Sequence, residues 1–411
     1  MKIHIINNFY SLNRGWALLI LSVTGFLLRR NPNISFTLES IFPEIDAKVY
    51  RNCRCVISIK SSHKLFMSSL TRALMWRLLS TLGVKADSIL NTEPLKYYGA
   101  ADLILDLSGD GLCPARSRTL WYHIRRKIST LTNLACILTA LLLEKPVILY
   151  SQSIGNLGLL KYLVKIVLNS GNVRLIAVRD AMSQSYLENL GVNKRKIILV
   201  GDASLSVTSP NVNPNPSSTV FGFCLSAEAS VHFYGYTTQE FKKFVNKIFN
   251  YVKNAYSAKI LIIPFSLGGR WSHENDTETF IEFSKKNEAE FFIRKKFDLT
   301  ELLSKIAECK LFVTARMHAA MLALSCNVPT IMIAHSPKFY GFAESLNCRD
   351  LILDASELSD EKLRSKIDYV MRNYGSIKSR IKGNVKKIRA MSLNGLEKLS
   401  EELQAIVVES I

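Results

Sequence analysis

Arg316 and His318 stand two residues apart directly after the apolar run Leu311–Thr314, and Lys338 follows a second such run, Thr330–Ile333. Arg179, with Asp180 beside it, follows Leu175–Val178. The loops Ser108-Gly109-Asp110-Gly111 and Ser151-Gln152-Ser153-Ile154-Gly155 follow Ala101–Leu107 and Val147–Tyr150. Arginine's planar fork grips a carboxylate or phosphate with two parallel bonds, and lysine acts as a point charge. Histidine titrates near neutrality and moves protons in either direction. The set therefore points to a small dianion and a proton transfer. Arg179, Arg316 and Lys338 are the candidate anion ligands and His318 the proton carrier. Asp110 is the candidate hydroxyl ligand or base, and Gly109, Gly111, Ser153 and Gly155 bring backbone close to a substrate. Arg179 fits an ion pair with Asp180 or a helix cap as well, and Asp110 fits a turn.

Elements that position these residues alternate along the chain. Met1–Asn7 reads as an apolar strand, and Arg14–Arg30 has helical length and stops before Asn31-Pro32. Helices over Ser117–Leu143, Leu159–Leu168 and Ala181–Leu190 separate the strands after it, with Gly191 as a stop. Val207–Ser218 breaks the pattern with Pro210, Pro214 and Pro216. From Thr219 the alternation restarts. Such interleaving builds parallel sheets from βαβ units. The expected organisation is a Rossmann-like domain at 1–206, a linker at 207–218 and a second Rossmann-like domain at 219–359. A basic helical segment follows at 360–411, with ten Lys/Arg against one acid between Lys362 and Arg389. Two doubly wound α/β domains facing a cleft resemble the glycosyltransferase-B architecture, in which ligands sit beyond the carboxyl ends of the strands.

The 411 residues are long for a single core, and 53 Lys+Arg against 34 Asp+Glu leave a formal charge of +19. That excess favours an anionic partner. With no zinc-finger or RNA-recognition signature, nucleic acid is not the expected one. The 8 Cys include no CxxC pair, and Cys136, Cys224 and Cys309 lie in apolar runs that read as buried thiols in a reducing compartment. The start of the chain reads as a strand rather than a cleavable leader, and the runs Ala17–Leu28 and Leu131–Leu143 fall short of the ~20 residues that cross a bilayer. A cytoplasmic protein is expected. His63–Val84 and Arg116–Lys127, the second with Trp121 and five cations including Arg116 and Arg118, are apolar and basic. They fit peripheral contact with an anionic membrane surface at its inner face.

Asn13-Arg14-Gly15, the Ser-Gly-Asp-Gly loop, Ser-Gln-Ser-Ile-Gly, Arg179-Asp180 with Leu190-Gly191-Val192, the Arg-Met-His of 316–318 and Pro337-Lys338 together resemble the motif series of polysaccharide pyruvyl transferases, in order, over roughly residues 1 to 354. The resemblance implies transfer of the pyruvyl group of phosphoenolpyruvate to a sugar of a cell-surface polysaccharide or its precursor, as a cyclic ketal. The acceptor would be a sugar, an oligosaccharide or a lipid-linked glycan. The resemblance places the acceptor on the side of residues 1–206 and the donor anion on that of 219–359, and assigns Arg179, Arg316, His318 and Lys338 to the donor site, with phosphoenolpyruvate as co-substrate and neither metal nor cofactor. Two departures stand out. Trp16 follows Gly15 where many members carry an acid, and Gly-Asp-Gly replaces the commoner Gly-Gly-Gly. Two rival readings stay open: a glycosyltransferase using a nucleotide sugar, with Glu344 placed to meet a ribose, and a non-catalytic member of a glycan assembly complex.

Overall fold

The computed structural model describes residues 1–7, 10–51, 55–60, 63–114, 119–207, 219–226, 229–268, 275–293 and 297–409. Arg116, Arg118 and the proposed linker from 208 to 218 lie outside the described residues.

The first sheet has seven parallel strands: β1 (Lys2–Ile6), β2 (Ser35–Ser40), β3 (Cys55–Lys60), β4 (Leu103–Asp106), β5 (Val147–Gln152), β6 (Val173–Val178) and β7 (Ile197–Leu199). Their spatial order is β3-β2-β1-β4-β5-β6-β7. The second sheet has six: β8 (Val220–Cys224), β9 (Lys259–Ile262), β10 (Glu290–Phe291), β11 (Cys309–Thr314), β12 (Thr330–Ala334) and β13 (Ile352–Asp354). They run in the order β10-β9-β8-β11-β12-β13. The order in which the strands are laid down reverses between β1 and β4 in one sheet and between β8 and β11 in the other, all strands staying parallel. Those two points are where doubly wound sheets open a crevice for ligands.

Central strands such as β5 and β12 are buried along their whole length, as a parallel sheet covered by helices on both faces requires. The helix Arg14–Arg30 begins where Asn13 Oδ1 accepts the Gly15 N–H and ends at Asn31, the bounds its sequence implies. Helices Leu120–Leu142, Leu160–Asn169 and Ala181–Leu190 also match their sequence signals to within a few residues. The strands at 35–40 and 352–354 were not legible. Ser35–Ser40 alternates apolar with polar residues and carries two of its buried polar groups, Glu39 and Ser40, inward.

The end of the chain ties the two sheets together. The helix Tyr374–Glu409 places Ile377, Ile381 and Ile388 in the core of the second sheet. It then crosses, and Leu396, Leu399, Leu403 and Ile406 enter the core of the first. Each such buried side chain contributes about 1.5–3 kcal/mol. Arg174 on β6 pairs with Glu402 at 3.1 Å and Glu409 at 2.7 Å, fixing the crossing. The segment set apart in sequence at 360–411 is thus shared between both cores.

The domains also meet near the start of the first helix. Arg14 N donates to Phe265 O at 3.0 Å, Leu267 N donates to Leu12 O at 2.9 Å, and Asn13 and Ser266 form an antiparallel bridge. This clasp brings the carboxyl ends of both sheets face to face.

Candidate active site

At the carboxyl end of β11 the Thr314 hydroxyl accepts the Arg316 N–H at 2.9 Å and donates to the Cys224 carbonyl of neighbouring β8 at 3.1 Å. Arg316 is the N-cap of the helix Met317–Ser325 and keeps extended backbone. Its side chain therefore leaves away from the helix, and its guanidinium forks onto the fully buried Asp276: Nη2 to Oδ1 at 2.7 Å and Nε to Oδ2 at 3.1 Å. His318, already in the first turn, faces the other domain. Its Nε2 lies 3.7 Å from Asp202 Oδ2 and makes no hydrogen bond among the described residues.

Asp202 follows β7 and receives Arg179 Nη1 at 2.7 Å. Arg179 Nε donates to Ser153 Oγ at 2.9 Å, and that hydroxyl donates to Asp180 at 2.7 Å. Asp180 caps the helix Ala181–Leu190 by accepting the Ser183 N–H. Of the partners open to Arg179 in the sequence, Asp180 is thus only reached through Ser153, and the ion pair goes to Asp202. Across the cleft, Lys338 Nζ donates to Asp110 at 2.7 Å, with Arg126 Nη2 3.9 Å from the same oxygen. One site therefore gathers Asp110, Ser153, Arg179, Arg316, His318 and Lys338 from both domains.

Glycines set the closeness of this packing. A β-carbon on Gly15 would lie 2.3 Å from Nδ1 of His318. Gly109, at φ +73°, adopts the left-handed turn, and a β-carbon there would press on Leu19 at 3.0 Å and Arg179 at 3.4 Å. Gly111 abuts Asn133 instead, and Gly155 donates its N–H to Leu112 O behind the loop. Those two support the loops rather than touch the cations. Replacing Gly15 by alanine is expected to cost about 1–3 kcal/mol through overpacking and to displace the imidazole. A denaturant titration showing unchanged stability would refute that contact.

The electrostatics separate these groups by role. Burial drives the His318 imidazole down to about 4; Asp202 opposes the shift, while Arg179 and Lys338 add to it. The ring is neutral at pH 7. Burial would raise the Asp110 carboxyl, but Lys338 and Arg126 outweigh it and hold it well below the usual range. Asp202 is also held down, burial being outweighed by Arg179 and His318.

Arg14 is the residue that sequence reasoning passed over. It is 2% exposed, and its Nε and Nη1 have no hydrogen-bond partner among the described residues. Burial lowers its pKa to about 10. It lies within electrostatic reach of the Cys224 thiol, as do Arg316 and Asp276. Cys224 ends β8, so this guanidinium sits at the reversal point between β8 and β11. The signal available in sequence was its place in Asn13-Arg14-Gly15, next to the glycine that touches His318. The partners Asp202 and Asp276 were likewise unmarked, and Arg126, one of the five cations of the 116–127 segment expected at a membrane surface, turns instead toward Asp110 in the cleft. Trp16, the departure after Gly15, packs edge-on against Tyr10 with ring centroids 4.9 Å apart.

The architecture is shared with sugar-nucleotide enzymes. A UDP-GlcNAc 2-epimerase from Neisseria meningitidis, solved with UDP-GlcNAc, superposes with a TM-score of 0.61 at 10% identity, covering 98% of this chain and 100% of that one. A putative UDP-N-acetylglucosamine 2-epimerase from Listeria monocytogenes gives 0.60 at 9% identity, over 98% and 96%. HepE from Anabaena, solved with UDP and glucose, gives 0.54 at 11%, over 98% and 99%. At these identities the likeness establishes the glycosyltransferase-B fold. In sequence, the amylovoran biosynthesis protein AmsJ of Erwinia amylovora is 20% identical over 270 residues, 62% of this chain and 65% of that protein. The chain thus matches just under two thirds of that relative's length. The family model for polysaccharide pyruvyl transferase matches residues 13–337, a span that holds Arg14, Gly15, Asp110, Arg179, Arg316 and His318. With most of its length so matched, the chain belongs to the polysaccharide pyruvyl transferase family.

Proposed function

We propose that the protein transfers the pyruvyl group of phosphoenolpyruvate to a sugar of an extracellular polysaccharide or its precursor, closing a cyclic ketal. The observation that carries this reading is the cation set around one neutral histidine. Arg316, Arg179 and Lys338 are each oriented by a carboxylate, and Arg14 is buried with unused donors. A dianion with a phosphate at one end and a carboxylate at the other satisfies such donors with charge-assisted bonds. Oriented cations in a water-poor cleft also stabilise charge that develops during reaction.

In the reaction, a proton added to the methylene carbon makes the neighbouring carbon electrophilic, and a sugar hydroxyl adds to it with loss of its own proton. A second hydroxyl then displaces inorganic phosphate, which carries off that hydroxyl's proton, and closes the ketal. His318, protonated when the dianion is bound, is the donor of the first proton. Asp110, held ionised beside Lys338, accepts hydrogen bonds from the acceptor hydroxyls. No step in this scheme calls for a metal or cofactor.

The test is calorimetric titration of phosphoenolpyruvate into the wild type and Arg316→Ala. Saturable binding that weakens about tenfold to a hundredfold in the variant is expected, the worth of a bidentate charged contact. Binding of a uridine nucleotide, with no phosphoenolpyruvate binding at millimolar concentration even beside an acceptor glycan, would replace this reading with that of a nucleotide-sugar glycosyltransferase.

A further inference from the structure

Three helices lie side by side on one face of the first sheet: His63–Thr81, Leu120–Leu142 and Leu160–Asn169. Their inner faces are spent in a single core, through Phe66 and Ala73, Leu134 and Ile137, and Val164 and Val167. Their outer faces are apolar too. Leu78 and Leu82, Leu120 and Trp121, and Leu159 and Ile166 are all exposed, Trp121 to 76% and Leu159 to 86%. Apolar groups that the fold has no further use for, grouped on adjacent helices, mark an interaction surface rather than core.

Charge identifies the partner. Residues 61–86, 111–143 and 153–172 contain no Asp or Glu. Arg72, Lys85, Lys127 and Lys165 are exposed on or beside these helices, and no carboxylate pairs with them among the described residues. A second copy of the chain is a poor occupant, because a two-fold interface sets a patch against itself and would oppose unpaired cations. A lipid surface takes both features at once: acyl chains receive the leucines, Trp121 suits the interface, and anionic headgroups receive the lysines.

We infer that this three-helix face docks the protein on an anionic lipid bilayer. It lies in the interface without crossing, and no helix among the described residues is long and apolar enough to span. The inference stands apart from the pyruvyl reading, since it uses none of the cleft cations. The two are nonetheless joined by one helix. Leu120–Leu142 presents Trp121 outward and brings Arg126 to Asp110 in the cleft. The cleft is thereby held beside the lipid.

The test is flotation of the full chain with vesicles of phosphatidylglycerol and phosphatidylcholine in equal parts, against phosphatidylcholine alone. The wild type is expected to float with the anionic vesicles and to release at high salt. Trp121→Ser with Leu159→Ser, and separately Lys127→Ser with Lys165→Ser, should each lower the partition coefficient about tenfold or more. Both pairs are exposed, so the melting temperature should hold. Trp121 emission should shift to the blue on binding, read as the difference from Trp121→Phe. The inference falls if the wild type stays with the protein fraction, if both variant pairs float like the wild type, or if the Trp121/Leu159 pair instead turns a dimer into a monomer.

Discussion

Replacing His318 by asparagine is expected to lower pyruvyl transfer by about 10²–10⁴-fold while leaving donor affinity within a few-fold of wild type, the signature of a lost proton-transfer group. The ring starts neutral, since burial carries its pKa to about 4. A bound dianion adds negative charge beside it and favours the imidazolium. Binding of phosphoenolpyruvate near neutral pH should therefore take up a proton in the wild type and none in His318→Asn. Titrations in two buffers of different ionisation enthalpy measure that uptake. Stability gives a second readout. A histidine whose folded pKa lies below its unfolded value contributes stability that is present above the unfolded value and lost as pH falls toward the folded one. For His318 that window runs from 6.5 down to about 4. His335, half-buried against the rings of Phe233 and Phe339 and shifted down by desolvation, adds to the same slope. The asparagine variant should unfold less steeply with acid across this window. Equal slopes in the two proteins, with no proton uptake in either, would remove His318 from the proton pathway.

Replacing Arg14 by methionine should separate stability from function. The guanidinium is buried without a carboxylate or a hydrogen bond to its Nε and Nη1 among the described residues, an arrangement that costs the folded state. Methionine fills similar space and needs no partner. The variant is expected to melt about 2–4 °C higher. Its affinity for phosphoenolpyruvate should drop about tenfold to a hundredfold, because the dianion loses a charge-assisted ligand at the β8–β11 reversal. A thermal melt and a calorimetric titration on the same preparation give both numbers. A lower melting temperature with unchanged donor affinity would make Arg14 a structural residue of the domain clasp.

Much of this site could be read from the chain because one rule links sequence to place. Ligands of doubly wound sheets lie beyond the carboxyl ends of strands. The apolar runs ending at Leu107, Tyr150, Val178, Thr314 and Ile333 therefore mark Asp110, Ser153, Arg179, Arg316, His318 and Lys338 as candidates from the chain alone. The helix Arg14–Arg30 was equally plain, since its cap and stop are local. Pairing was not plain. Arg316 finds Asp276 40 residues away, and Lys338 finds Asp110 228 residues away. Arg179 bypasses its neighbour Asp180 for Asp202, because the helix cap claims Asp180. Ion pairs depend on distance in space, which nothing in local composition encodes. The same limit hid Arg14. An arginine beside a glycine looks like a surface cation until the second domain closes over it.

Periodicity along the chain suffices for the alternation of strands and helices and for the division into two sheets, and position after a strand suffices for Arg179, Arg316 and Lys338, though not for Arg14 or Arg126. Which carboxylate orients each cation, how far His318 is kept neutral, and the sharing of the last helix between both cores are settled by the folded arrangement. Those outcomes depend on burial and on groups far apart in the chain meeting within a few ångströms.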